Sequence, residues 1–297
     1  MMSESTTRYS PSPTDEANGT RVVSCELLFN IIEAAEVVLQ LVAASGTGRV
    51  VSERLEILID GRPVDDVVDL DGPHGGRLQI VPSPPGRLTV SYRSEIESAV
   101  AGGSQSTESS IDSVSSAAYD RLSYQRPSRY CPSDHLVGFA VAEFGIGPPA
   151  SVQVQAITRW IQHRIGYVAG SSSVHDSAED TLLTGMGTCR DFAHLGVALC
   201  RAVGIPARFA AVYAPGLWPM DFHAVFETLE EGRWLAHDAT VLAPRQTMVR
   251  MSTGRDAADA AFASVNSGIA TLESIEVTAT AGGRLPIDDP DAPFELA

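Results

Sequence analysis

The sequence predicts an α+β protein in which a buried helix packs on an antiparallel sheet, preceded by a small antiparallel β domain. Three observations carry this. Residues 21–98 break into short β-rich runs separated by Gly- and Pro-containing turns; an apolar helix is bracketed by start and stop signals between Thr188 and Pro206; and two strand-like runs follow, joined by an acidic turn closing on Gly232. Helices first and antiparallel strands after them give segregated layers rather than the alternation of a parallel sheet.

In chain order, residues 1–20 lack the basic-then-apolar pattern of a secretory signal and read as a disordered tail. Arg21–Phe29, Val50–Ile59, Arg77–Val81 and Arg87–Tyr92 alternate with turns at Asp60-Gly61, Gly75-Gly76 and Pro84-Pro85-Gly86, the spacing of an antiparallel β domain over 21–98. Residues 99–118 are rich in Ser and low in apolar content, and read as a flexible linker. In the next domain, 119–283, the stretches around Asp134–Phe144 and Val152–Ile165 have helical spacing, with Ile157, Trp160 and Ile161 on one face. Residues 284–297 hold little that can pack and are expected to fray.

The helix after Thr188 is the chemically informative element. Thr188 with Asp191 reads as a capping box, while Gly204 and Pro206 stop the helix. Cys189 therefore falls at the first helical position, where unpaired backbone N–H groups and the positive end of the dipole favour a thiolate. From Phe192 to Val203 only His194 and Arg201 interrupt an apolar surface, which is expected of a helix buried among other elements.

Downstream, Met220–Leu229 and Arg233–Thr240 read as a hairpin around Glu230-Glu231-Gly232. If Leu229 and Gly232 flank a two-residue loop, His223 faces Asp238 directly, with side chains about 5 Å apart; a bulged three-residue loop shifts this by one. Asp238 is then expected to accept the Nδ1 proton of His223, leaving the other ring nitrogen for the Cys189 sulfur.

The run GTCRDFAHLGVALCRAVGIPAR, followed by Tyr213, a Pro/Gly loop, MDFHAVFE and GRWLAHDAT, resembles the bacterial transglutaminase-like superfamily of papain-fold cysteine enzymes. The resemblance is strongest over about residues 181–245; QRPSRYCPSD resembles the segment that precedes the core, Ser177–Leu183 the short helix leading into the nucleophile, and 20–97 the accessory N-terminal β domain. It implies a Cys189, His223, Asp238 triad, with Asp221 and Trp234 at matching motif positions. Val225 stands where many relatives have an aromatic residue, a difference of packing. Papain-like enzymes take a second oxyanion donor from an earlier segment, which makes Gln125 to Tyr130 the candidates here. Such enzymes form a covalent acyl-enzyme and pass the acyl group to water or an amine, as peptidases, amidases or acyltransferases. The acyl donor is then a peptide or protein amide, or a small molecule. The alternatives are a non-catalytic interaction module on the same fold, and an acyltransferase using a carrier-bound thioester in small-molecule biosynthesis. No cofactor is expected.

The remaining candidates have plainer readings. Cys25 and Cys200 suit packing, and Cys200 lies about 16 Å along the helix from Cys189, beyond disulfide reach. His237 alternates away from Asp238, and His194 suits a structural role in the core. Cys131 and His135 have a possible zinc spacing, but one pair without a second is weak, so no metal is expected. The net charge of −16 argues against nucleic acid or an anionic membrane as partner. No apolar run is long enough to span a bilayer. Cytoplasmic residence is the simplest expectation, and four scattered cysteines suit a reducing compartment.

Overall fold

The computed structural model describes residues 19–97 and 111–296. Most of the expected N-terminal tail and residues 99–110 of the expected linker lie outside the described residues. The N-terminal strands are β1 (Thr20–Leu39), β2 (Arg49–Ile59), β3 (Arg62–Pro63), β4 (Val68–Asp71), β5 (Arg77–Ser83) and β6 (Gly86–Glu97). Along β1 the inward residues Val23, Cys25, Leu27, Phe29 and Ile31 alternate with more exposed ones, as a pleated strand with one buried face requires. β6 pairs antiparallel with the first part of β1 and β5 with its last part, the two divided at Pro84-Pro85, where there is no N–H to continue a ladder.

The second half of the chain contributes α1 (Ile111–Ser123), α2 (Val137–Phe144), α3 (Ala150–Arg164), β7 (Gly166–Tyr167), α4 (Ala178–Thr184), β8 (Met186–Gly187) and α5 (Cys189–Ala202). It continues with β9 (Ala207–Tyr213), β10 (Phe222–Glu230), β11 (Arg233–His237), β12 (Val249–Gly254), α6 (Ala257–Ala260) and β13 (Ala263–Ala281). A four-stranded sheet of order β11-β10-β9-β12 carries α5 on one face. Gly196 permits that contact, because a Cβ there would meet the Phe226 ring at 2.5 Å.

Four expectations are corrected. First, the N-terminal sheet is not built from residues 21–98 alone: β13 pairs antiparallel with β1 from Arg21↔Ala281 to Leu39↔Ala263. The other side of β1 would otherwise present an unpaired ladder. Second, residues 111–118, expected in the linker, are helical; Ile111, Val114, Ala118 and Leu122 have helical spacing that the Ser content obscures. Third, the described part of 284–297 is anchored. Arg245 is buried and bonds Asp288 at 2.9 and 3.0 Å, the Ala236 amide donates to the Phe294 carbonyl at 2.7 Å, and Leu296 is buried in the apolar layer behind the sheet.

Fourth, the hairpin register differs from both expected alignments. Glu230 pairs with Arg233 and Phe226 with His237, so Glu231 and Gly232 form the turn with φ of +49° and +82°. A two-residue turn of this kind needs positive φ at both positions, which draws the glycine inside it rather than beside it. His223 is thereby moved from directly opposite Asp238 to a diagonal position.

The two sheets share one continuous apolar core. Tyr213 of β9 is fully buried and donates to the Leu41 carbonyl at 2.8 Å, and Arg21 of β1 donates to the Met248 carbonyl at 3.0 Å. No helix among the described residues is long and apolar enough to cross a membrane.

Candidate active site

Cys189 is the first residue of α5, and the capping box is formed. The Asp191 carboxylate accepts from the Thr188 amide at 2.7 Å and from its hydroxyl at 3.0 Å. Ser172 adds a hydrogen bond at 2.9 Å and Arg190 an ion pair at 3.1 Å. Burial alone would raise the Asp191 carboxyl, but these donors hold it below the usual carboxylate range. The cap fixes the turn that carries the thiol.

Of the four cysteines, only Cys189 is not buried. Desolvation pushes the Cys25 thiol up to about 11 and Cys131 to about 12, and raises Cys200 as well. Those three are inert by environment.

His223 on β10 and Asp238, just past β11, are both buried and bond at 3.0 Å. The nitrogen involved is Nε2, not the expected Nδ1, because the shifted register brings Asp238 in diagonally. Among the described residues Nδ1 has no hydrogen-bond partner of good geometry, and it is the nitrogen left for the Cys189 sulfur. Burial lowers the imidazole, but the charge and hydrogen bond of Asp238, then those of Cys189, reverse this and push it up to about 10. Asp238 is held low despite burial, by His223 first and then by Thr240. Thr240 donates its amide at 2.8 Å and its hydroxyl at 2.6 Å to Oδ1, leaving Oδ2 for His223.

The other candidates separate. Asp221 stays beside the site, one residue ahead of Phe222, whose amide it accepts at 2.7 Å. Gln125 does not: its amide donates to the Gly204 carbonyl at 2.9 Å, at the opposite end of α5 and about 22 Å along the axis. Tyr130 stacks on His194 at 5.1 Å and lies 5.7 Å from the Arg190 guanidinium, on a helix face about 100–140° around from Cys189. Trp234 is four residues before Asp238, under the Arg208 guanidinium at 4.1 Å. Cys131 and His135 diverge, one bonded to the His194 carbonyl and the other exposed beside Glu179.

The transglutaminase-like superfamily model matches residues 141–239, which hold Cys189, His223 and Asp238. A solved structure of a candidate cysteine protease from Cytophaga hutchinsonii is 30% identical, with a TM-score of 0.76 over 91% of this chain and 93% of its own. The chain belongs to the transglutaminase-like superfamily. Uncharacterized protein ML0607 of Mycobacterium leprae (strain TN) is 28% identical over 191 residues, 60% of this chain and 67% of its own. The periplasmic domain of TgpA from Pseudomonas aeruginosa, at 17% identity and a TM-score of 0.39 over 74% of this chain and 90% of its own, is too distant to argue from.

Within this transglutaminase-like site, sequence reading missed Tyr167 and Thr240. Tyr167 pairs with Gly187 and packs on Phe192 at 5.9 Å, which sets it beside the start of α5. Burial, then the charges of Cys189 and Asp221, pushes its phenol up to about 12. The available signal was an aromatic residue stranded between a helix and a Ser-rich loop. For Thr240 it was a hydroxyl two residues after the carboxylate, the spacing of a local side-chain turn.

Proposed function

We propose that the chain is a cysteine-dependent hydrolase or acyltransferase, with Cys189 as nucleophile, His223 as acid and base, and Asp238 as its orienting carboxylate. The observation that carries this reading is a fully buried imidazole–carboxylate pair beside the one accessible thiol of the chain. An imidazole pushed up to about 10 is a cation at neutral pH, and its Nδ1 faces the sulfur.

In the first step the sulfur forms a bond to the acyl carbon and the carbonyl π pair moves onto oxygen. The Cys189 backbone N–H at the start of α5 and the Tyr167 phenol beside that turn are the candidate donors for that oxyanion. The carbonyl re-forms as the bond to the leaving group breaks, and the leaving group takes the Nδ1 proton of His223. The neutral imidazole then removes a proton from water or an amine as it attacks the thioester, releasing acid or amide and returning the cation. Likeness to a candidate cysteine protease favours a peptide or protein amide as donor and water as acceptor.

The test is intact-mass analysis after acid quench, with blocked peptide amides and an activated thioester as donors. An acyl increment on Cys189, discharged by water and diverted to amide product by added amine, is the expected result. No increment with any donor, or one that persists in Cys189→Ala, contradicts the reading.

A further inference from the structure

Trp234, a motif position with no part in the triad, lines a cavity of about 330 Å³ at the tip of the β10–β11 hairpin. Its wall is basic: Arg208, Arg233 and Arg250 come from the catalytic half, and His74 from the turn between β4 and β5. Burial and the neighbouring Arg208 lower the His74 imidazole, so the charge of the wall is that of the three guanidiniums, against two carboxylates that pair with them. Glu227, fully buried, is shared by Arg208 at 2.6 Å and Arg250 at 2.5 Å, while exposed Glu295 reaches only Arg233, at 3.4 Å. Asp120 lies behind His74 at 3.7 Å. Two guanidinium nitrogens, Arg208 Nη1 and Arg250 Nε, are buried with no hydrogen-bond partner among the described residues. Arg208 is only 2% exposed, stacked on the Trp234 ring.

Buried guanidinium N–H groups left without acceptors are costly, and an oxyanion satisfies such groups in pairs. In a chain of net charge −16, a basic pocket is contrary to the general surface and needs a local reason. We propose that this cavity binds a small oxyanion, a carboxylate or a phosphate. Arg208, Arg250 and Arg233 supply the donors and the Trp234 indole a flat apolar wall. Glu295, on the C-terminal run, stands at the mouth as a competing carboxylate. The site is distinct from the triad: Trp234 and Asp238 sit at opposite ends of β11, about 13 Å apart along the strand. Because His74 comes from the β4–β5 turn of the N-terminal sheet and Arg208 from β9 of the other sheet, an occupant bridges the two halves of the molecule.

The test is calorimetric titration of the full chain with inorganic phosphate and, separately, acetate, in low-chloride buffer, with tryptophan fluorescence as a second readout. Saturable binding of either ion is expected, and the tighter of the two names the class. Glu295→Gln is expected to tighten it about two- to fivefold and Arg233→Gln to weaken it by a similar factor, as loss of one partly exposed charge implies. Both substitutions are at exposed positions and leave Cys189 alkylation unchanged. Arg208→Gln abolishes binding; since it also breaks a buried ion pair, circular dichroism accompanies it and the Arg233 and Glu295 variants carry the decision. No saturable binding to the wild type and to Glu295→Gln, or binding indifferent to both exposed substitutions, overturns the proposal.

Discussion

At the level of single residues, His223 is held through a relay of two side chains. Asp238 fixes Nε2, and Thr240 fixes the Asp238 oxygen that His223 does not use. Asp238→Asn removes the charge that keeps the ring cationic and is expected to lower kcat about a hundredfold or more. Thr240→Val keeps the charge and loses only orientation, so a fall of about tenfold with KM little changed is expected. Steady-state kinetics on whichever donor acylates Cys189 checks both. Cys189, His223 and Asp238, which the structure brings together, were legible in the sequence because each sits in a distinctive local pattern. Which imidazole nitrogen meets the carboxylate was not, since it depends on the register of a turn whose glycine fits more than one alignment.

At the level of elements, α5 is held rigid by its cap and by close approach to β10. In an exposed helix Gly→Ala gains about 1 kcal/mol. At Gly196 the sign should reverse, because the new methyl meets the buried Phe226 ring at 2.5 Å. A loss of about 1–3 kcal/mol in urea unfolding is the expected outcome. The start and stop of α5 were readable from Thr188, Asp191 and Gly204, where local hydrogen-bonding chemistry decides the structure. Helix α1 was not, because Ser-rich composition outweighed its apolar spacing. Nor was the anchored C-terminal run, whose order rests on Arg245, more than 40 residues earlier in the chain.

At the level of the whole molecule, the N-terminal sheet depends on a strand from the far end of the chain. β13 is mostly exposed and holds as many polar as apolar residues, so its composition does not announce that it completes the ladder of β1. A fragment ending before Ala263 leaves one side of β1 unpaired and is expected to aggregate on size-exclusion chromatography, whereas the full chain is not. Stability should also depend on pH through the buried pair. His223 is raised to about 10 from an unfolded value near 6.5, so its contribution is complete below about pH 6.5 and lost as pH rises toward 10. The thermal midpoint of the wild type should fall across that window, and His223→Gln should flatten the fall.

The central claim, an accessible thiol activated by a buried imidazole, is tested most directly by intact-mass iodoacetamide labelling of the folded protein at pH 6. The account predicts fast addition of one label, absent in Cys189→Ala and slowed about tenfold or more in His223→Ala. Labelling of Cys189 no faster than a free thiol at that pH, or unaffected by His223→Ala, would contradict it.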